Sequence, residues 1–174
     1  MRYAKRALVG LTCAFALVPA GAAMAGTGPA PAPSERSLAK STAPSATGNP
    51  LSAKAQAAGV CSDAYAIGNT GYITRQGVKI ASVKQFYSPK CQQNYGYLWV
   101  WDSFRAKAGD YDVSTSIYSY SKDEILGTRT WTNSTAQEFW SNGTATVKAC
   151  TAGIGSLRQA GDPVAAQGAS SKRC

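Results

Sequence analysis

Apolar and polar positions alternate most regularly near the middle of the chain. Tyr95, Tyr97, Trp99 and Trp101 share one parity, and Gly96, Leu98 and Val100 share the other. Successive side chains of a strand point to opposite faces, so this spacing predicts a β-strand. Cys91 stands at its entrance, just after Ser88-Pro89, a pair that ends one extended run before the next begins. Other short runs rich in β-branched and aromatic residues cover Ala64 to Ile67, Gly71 to Thr74, Val78 to Phe86, Tyr95 to Phe104, Asp112 to Tyr120, Ile125 to Thr132 and Ala145 to Ala149. Turn signals separate them: Gly68-Asn69, Gln76-Gly77, Ala108-Gly109-Asp110, Lys122-Asp123 and Asn142-Gly143, the last read as a two-residue hairpin turn. This order predicts an all-β fold, a small disulfide-stapled sandwich or barrel. Ser134 to Trp140 has capping-box spacing and predicts one short helix. From Ile154 to Arg173 the chain turns Gly-, Ala- and Ser-rich and reads as a loop-like end.

Upstream the pattern is different. Arg2, Lys5 and Arg6 precede an almost wholly apolar stretch, Ala7 to Val18, and Ala23-Met24-Ala25 offers small residues for cleavage. Residues 1–25 therefore read as an export signal, too short and too soon interrupted by Pro19 to span a bilayer. No stable membrane association is expected. Residues 26–58 are dominated by Ala, Pro, Ser, Thr and Gly, a composition that buries too little apolar surface to offset its ordering entropy. They read as a disordered arm, either a spacer or an extended segment that docks into a partner's cleft. A brief turn of helix around Ser52 to Ala58 is compatible with the local alanines. The β-domain is expected over residues 59–174.

Cys13 would leave with the signal, so Cys61, Cys91, Cys150 and Cys174 remain, an even set that implies two disulfides in an oxidising compartment. Four cysteines allow three pairings. Joining strand-flanking positions and closing the domain's ends favours Cys91 with Cys150 and Cys61 with Cys174. The formal charge of +9 includes Arg2, Lys5 and Arg6, and without those three it is +6.

The inventory of reactive groups is thin. The chain has no histidine, which removes the commonest general base and imidazole metal sites. Paired cysteines leave no thiolate for zinc. Asp110 with Asp112, and Asp123 with Glu124, are the carboxylate clusters, and both sit at turn signals. No catalytic set, metal site or cofactor is expected. The basic residues Arg75, Lys79, Lys84, Lys90, Arg105 and Lys107 are scattered among acidic and polar neighbours, not the dense stripe that nucleic acid requires. Aromatics are better represented. Trp99 and Trp101 are expected in the core, and at least one of Tyr118 and Tyr120, which alternate with serines, at the surface.

The segment VKQFYSPKCQQNYGYLWV, Val83 to Val100, resembles the signature of small exported actinobacterial domains of unknown function, in which a strand ends in Tyr-Ser-x-x-Cys. The resemblance extends from about Gly71 to the Ala149-Cys150 pair. Phe86 stands where a basic residue is common, and Tyr95 where tryptophan is common. The chain is also similar in plan to the bridging subunit of the umbrella-shaped toxin particles of streptomycetes. That likeness implies a secreted, non-enzymatic adaptor joining a repeat-bearing toxin chain to a lectin-like subunit.

The expected contacts are then Pro29, Pro31, Pro33, Leu38, Pro44, Pro50 and Leu51 on the arm, with Tyr118 and Tyr120 on the domain. The rival readings are a carbohydrate- or cell-wall-binding module that uses exposed aromatics, and an inhibitor of secreted hydrolases that presents a loop held by Cys91.

Overall fold

The computed structural model describes residues 41–174. The expected signal, and Pro29, Pro31, Pro33 and Leu38, lie outside the described residues. In chain order the elements are α1 (Ala53–Ala57), β1 (Tyr65–Arg75), β2 (Val78–Ser88), β3 (Gln93–Val100), α2 (Asp102–Ala108), β4 (Tyr111–Ser119), β5 (Glu124–Ser134), β6 (Glu138–Trp140), β7 (Thr151–Gln159) and β8 (Ala166–Ala169). They form two four-stranded sheets, β1-β2-β3-β6 and β5-β4-β7-β8, antiparallel throughout. The all-β, disulfide-stapled sandwich expected from the alternation is the fold observed.

Each turn residue has a local reason. Gln76 and Gly77 both have positive φ, 50° and 79°, the twist that a two-residue hairpin needs between β1 and β2. The runs expected over Ala64 to Ile67 and Gly71 to Thr74 merge into the one strand β1, which starts at Tyr65 and whose register slips between Ile67 and Gly71, where Gly68 takes φ 72°.

The sheets meet over Ile73, Val83, Leu98, Val100, Val113 and Leu157, all buried. Along β2 and β3 the opposite parity is buried too. Phe86, Tyr95, Tyr97 and Trp140 form a second cluster with Ala55, Val60 and Ala64 from the segment that precedes β1. Residues 41–60 are therefore a strap laid across the outer face of the first sheet. The Tyr97 hydroxyl donates to the Ser45 carbonyl at 2.6 Å, and Gly48 lies so close to Phe86 that a Cβ would sit 2.2 Å from its ring. This corrects the expected boundary at residue 58: the folded body begins by Ser41, with Pro44, Pro50 and Leu51 in its strap. The strap brings few bulky groups of its own, and the sheet's aromatic rings provide the apolar surface.

Five further expectations are corrected. The strand that starts before Tyr95 stops at Val100, because Asp102 to Ala108 turn helical and Gly109, at φ 68°, ends them. The helix expected over Ser134 to Trp140 gives way to β6, whose Phe139 and Trp140 must face opposite sides opposite Leu98 and Tyr97. Ala145 to Ala149 is a loop, and Asn142-Gly143 is no hairpin turn, since the Asn142 amide donates to the Gly127 carbonyl at 2.8 Å. The Gly-rich end supplies β7 and β8, whose glycines permit close approach between the layers. A Cβ on Gly153 would lie 2.5 Å from the Lys84 carbonyl oxygen, and one on Gly71 of β1 would lie 1.7 Å from that of Ala169.

The disulfides are Cys61–Cys91 and Cys150–Cys174, not the pairing expected. Pairing follows the sandwich's layers. Cys61 and Cys91 both belong to the first sheet's end, before β1 and between β2 and β3, whereas Cys150 precedes β7 and the terminal strand-like bridge Thr151 with Arg173 brings Cys174 beside it. Such bonds persist in an oxidising, extracellular-type environment. Among the described residues no helix is long and apolar enough to cross a membrane.

Candidate functional site

The end of the sandwich that carries both disulfides also carries Tyr65 and Tyr120, two exposed aromatic side chains. β1 and β7 start there, and β2 and β4 finish there. Tyr65 and Tyr87, paired across β1 and β2, meet edge to face with ring centroids 6.1 Å apart. On the other sheet Tyr118 and Tyr120 meet at 4.8 Å and 83°, and the Lys172 ammonium lies 4.6 Å from the Tyr120 ring. Tyr118 is half-buried and Tyr120 is 43% exposed, in keeping with a surface position for at least one of them.

Hydrogen bonds hold this end in place. The Tyr118 phenol donates to the Asp123 carboxylate, and that bond is the main reason its pKa is raised. The Tyr120 amide donates to the Cys150 carbonyl at 2.9 Å, and Thr151 and Arg173 exchange backbone bonds at 2.7 and 2.8 Å. Across the sandwich, Asp63 accepts from Ser88 Oγ at 2.7 Å and from the Lys90 amide at 2.9 Å. The Ser88 bond leads in holding the Asp63 carboxyl below its ordinary range.

Behind the tyrosines the inner parity of β2 and β3 turns polar. Gln85 donates through Nε2 to Asn94 Oδ1 at 3.0 Å and to Thr151 Oγ1 at 2.7 Å, and Asn94 donates to Thr146 Oγ1 at 3.0 Å. All four side chains are buried. Gln85, Asn94 and Thr151, with Tyr65, Tyr87 and Arg173, line a cavity of about 240 Å³.

Three other carboxylates are tied into the body by hydrogen bonds and ion pairs. Asp112 accepts from the Asn133 amide and from Arg158, each at 3.1 Å, and Asp162 forms a two-pronged pair with Arg75, closest at 2.7 Å. Glu138 is buried, accepting from Ser52 Oγ at 2.7 Å and from Trp140 Nε1 at 2.9 Å. Burial, then the Glu138 charge, pushes the Tyr97 phenol far above its ordinary value. Among the described residues no three His, Cys, Asp or Glu side chains converge as a metal site would require.

The structure thus separates the candidate contacts. Pro44, Pro50 and Leu51 lie on the strap over the first sheet, and Tyr118 and Tyr120 lie on the second sheet at the stapled end. Tyr95 and Tyr97 are fully buried while Trp99 and Trp101 are half-buried, so no open platform forms along β3. Sequence reasoning missed Gln85, although it shares the parity of the core residues Ala81 and Val83 and so announces a polar group inside. No family model, curated protein or solved structure matches the chain. Its function is read from its own geometry.

Proposed function

We propose that this protein is an exported, non-enzymatic adaptor that joins other secreted proteins, in the manner of a bridging component of an antibacterial toxin assembly. The observation that carries this reading is the Tyr118–Tyr120–Lys172 cluster, fixed by Asp123 on one side and by the Cys150–Cys174 staple on the other. Tyrosine and a nearby cation on a rigid base lose little conformational entropy on binding, which is what protein contact surfaces favour. The two rings stand nearly perpendicular, at 83°, so they offer edges and a phenol rather than the flat shelf on which sugars and bases stack. Residues 26–40, which hold Pro29, Pro31, Pro33 and Leu38 and lie outside the described residues, are the second contact of this reading, a proline-rich sequence suited to a partner's cleft.

The test is recovery of partners from culture supernatant with residues 26–174 as bait. Changing Tyr118 and Tyr120 together to Ala removes one partner, and deleting residues 27–40 removes another. Recovery of the same proteins by both altered baits would refute the adaptor reading.

A further inference from the structure

We propose a second, separate site at the other end of the sandwich: the groove between the β1–β2 turn and α2 binds a small amphiphilic anion, a carboxylate carried on a medium-length hydrocarbon chain. The inference does not rest on the adaptor reading, and it uses no residue of the stapled end.

The fold makes the groove. Gln76 and Gly77 turn β1 straight back into β2, while α2 follows β3 and lays Phe104 on the inner core beside Tyr111, ring centroids 5.7 Å apart. Between turn and helix there remains a cavity of about 480 Å³, inside the range of small-molecule sites. Val78, 62% exposed, and the half-buried Phe104 form its accessible apolar wall, with Ile80 and Ala108 closing it beneath. A hydrocarbon chain laid there covers apolar surface that water now meets, which is favourable roughly in proportion to the area removed.

The rim sets the sign of the charge. Lys79 on β2 and Lys107 on α2 both line the groove, and both are exposed, so their long side chains can turn toward a ligand. Neither makes an ion pair among the described residues. The Lys79 ammonium rests 3.9 Å from the centre of the Tyr72 ring, a contact that holds it near the lip without neutralising it. Arg75, the third cation of the lining, is already answered by Asp162. No Asp or Glu lines the groove. Two uncompensated positive charges therefore stand beside a hydrocarbon wall. A neutral alcohol meets only the wall, acetate meets only the rim, and an alkylammonium is repelled. A carboxylate on a hydrocarbon chain uses both.

The probe is decanoate, kept below its micelle concentration and titrated into residues 26–174 with both disulfides intact, followed by amide-resolved NMR. Saturable shifts are expected at Val78, Ile80, Phe104, Lys107 and their neighbours, and not around Tyr65 or Tyr118. Decanol should bind about fivefold to tenfold more weakly, since each exposed ion pair contributes up to about a fivefold change in affinity. Lys107→Gln, at an exposed position of α2, should weaken decanoate about twofold to fivefold and leave decanol unchanged. Val78→Asp, also exposed, puts a like charge on the wall and should weaken decanoate at least about tenfold. Absence of saturable decanoate shifts overturns the proposal. So does decyltrimethylammonium binding as tightly as decanoate, which marks an indiscriminate apolar patch. Capture of the protein by phosphatidylglycerol vesicles with no response to decanoate overturns it too, since the partner is then a lipid surface. None of these results touches the partner recovery that tests the adaptor reading.

Discussion

The Ser52 hydroxyl donates to the buried Glu138 carboxylate at 2.7 Å, across 86 positions of the chain. The same hydroxyl caps α1 by accepting from the Ala55 amide at 3.0 Å. One side chain therefore starts a helix and fastens it to a sheet. Ser52→Ala removes the cap and leaves a buried carboxylate short of a donor, with an expected loss of ~1–3 kcal/mol in urea unfolding. Hydrogen exchange should quicken across residues 53–60. An unchanged unfolding midpoint would mean that this contact is incidental.

Two truncations should behave very differently. A chain beginning at Ser41 should unfold at the parent's midpoint. A chain beginning at Gly59 uncovers Phe86, Tyr95, Tyr97 and Trp140, which the strap helps to bury. Its loss should be at least ~3 kcal/mol, with new binding of a hydrophobic dye, since full burial of one large apolar side chain contributes ~1.5–3 kcal/mol.

Peptide mapping without reduction should recover Cys61 joined to Cys91 and Cys150 joined to Cys174. The bonds close loops of similar span, 30 and 24 residues. Replacing either pair by Ala should cost about 3 kcal/mol on the chain-entropy account. Crossed peptides, Cys91 with Cys150, would contradict the fold at its stapled end.

Acid should weaken the fold through carboxylates held low. Arg75 depresses Asp162, and the Asn133 amide, followed by Arg158, depresses Asp112. A folded pKa below the unfolded one contributes stability that is present above the ordinary carboxylate value near ~4 and is lost as pH falls through the folded value. Asp162→Asn should therefore lose less of its melting temperature than the parent between about pH 5 and pH 2.5. An equal loss in both proteins would exclude Asp162 as a contributor.

Strand positions were legible wherever side chains alternate, as along β2, β3 and β4. They were not legible along β7, because Gly153 and Gly155 replace the branched residues that announce a strand and serve instead to let the sheets approach. The strap was hidden for a related reason: Ala, Ser and Pro carry no apolar signal when the large rings belong to the surface beneath. Phe139 and Trp140 misled in the other direction, since capping-box spacing lost to the demand for one ring on each face of the sheet. Cysteine count gave two bonds, but their pairing depends on which chain ends share a layer. Of the candidate sites, Tyr118 and Tyr120 were visible by their serine neighbours. The cavity beside Tyr65 and Gln85 was not, because its lining comes from five separate parts of the chain.

The strap also bears on the order of events in folding. Its residues are made before every strand, yet the Glu138 and Trp140 that receive it arrive some eighty residues later and have no fixed place until β6 has joined β3. Contacts so distant along the chain form late, because the loop between them must first be closed. The earliest-synthesised piece of the body is thus the last to settle, and until it does the rings of the first sheet stand bare to whatever the nascent chain meets.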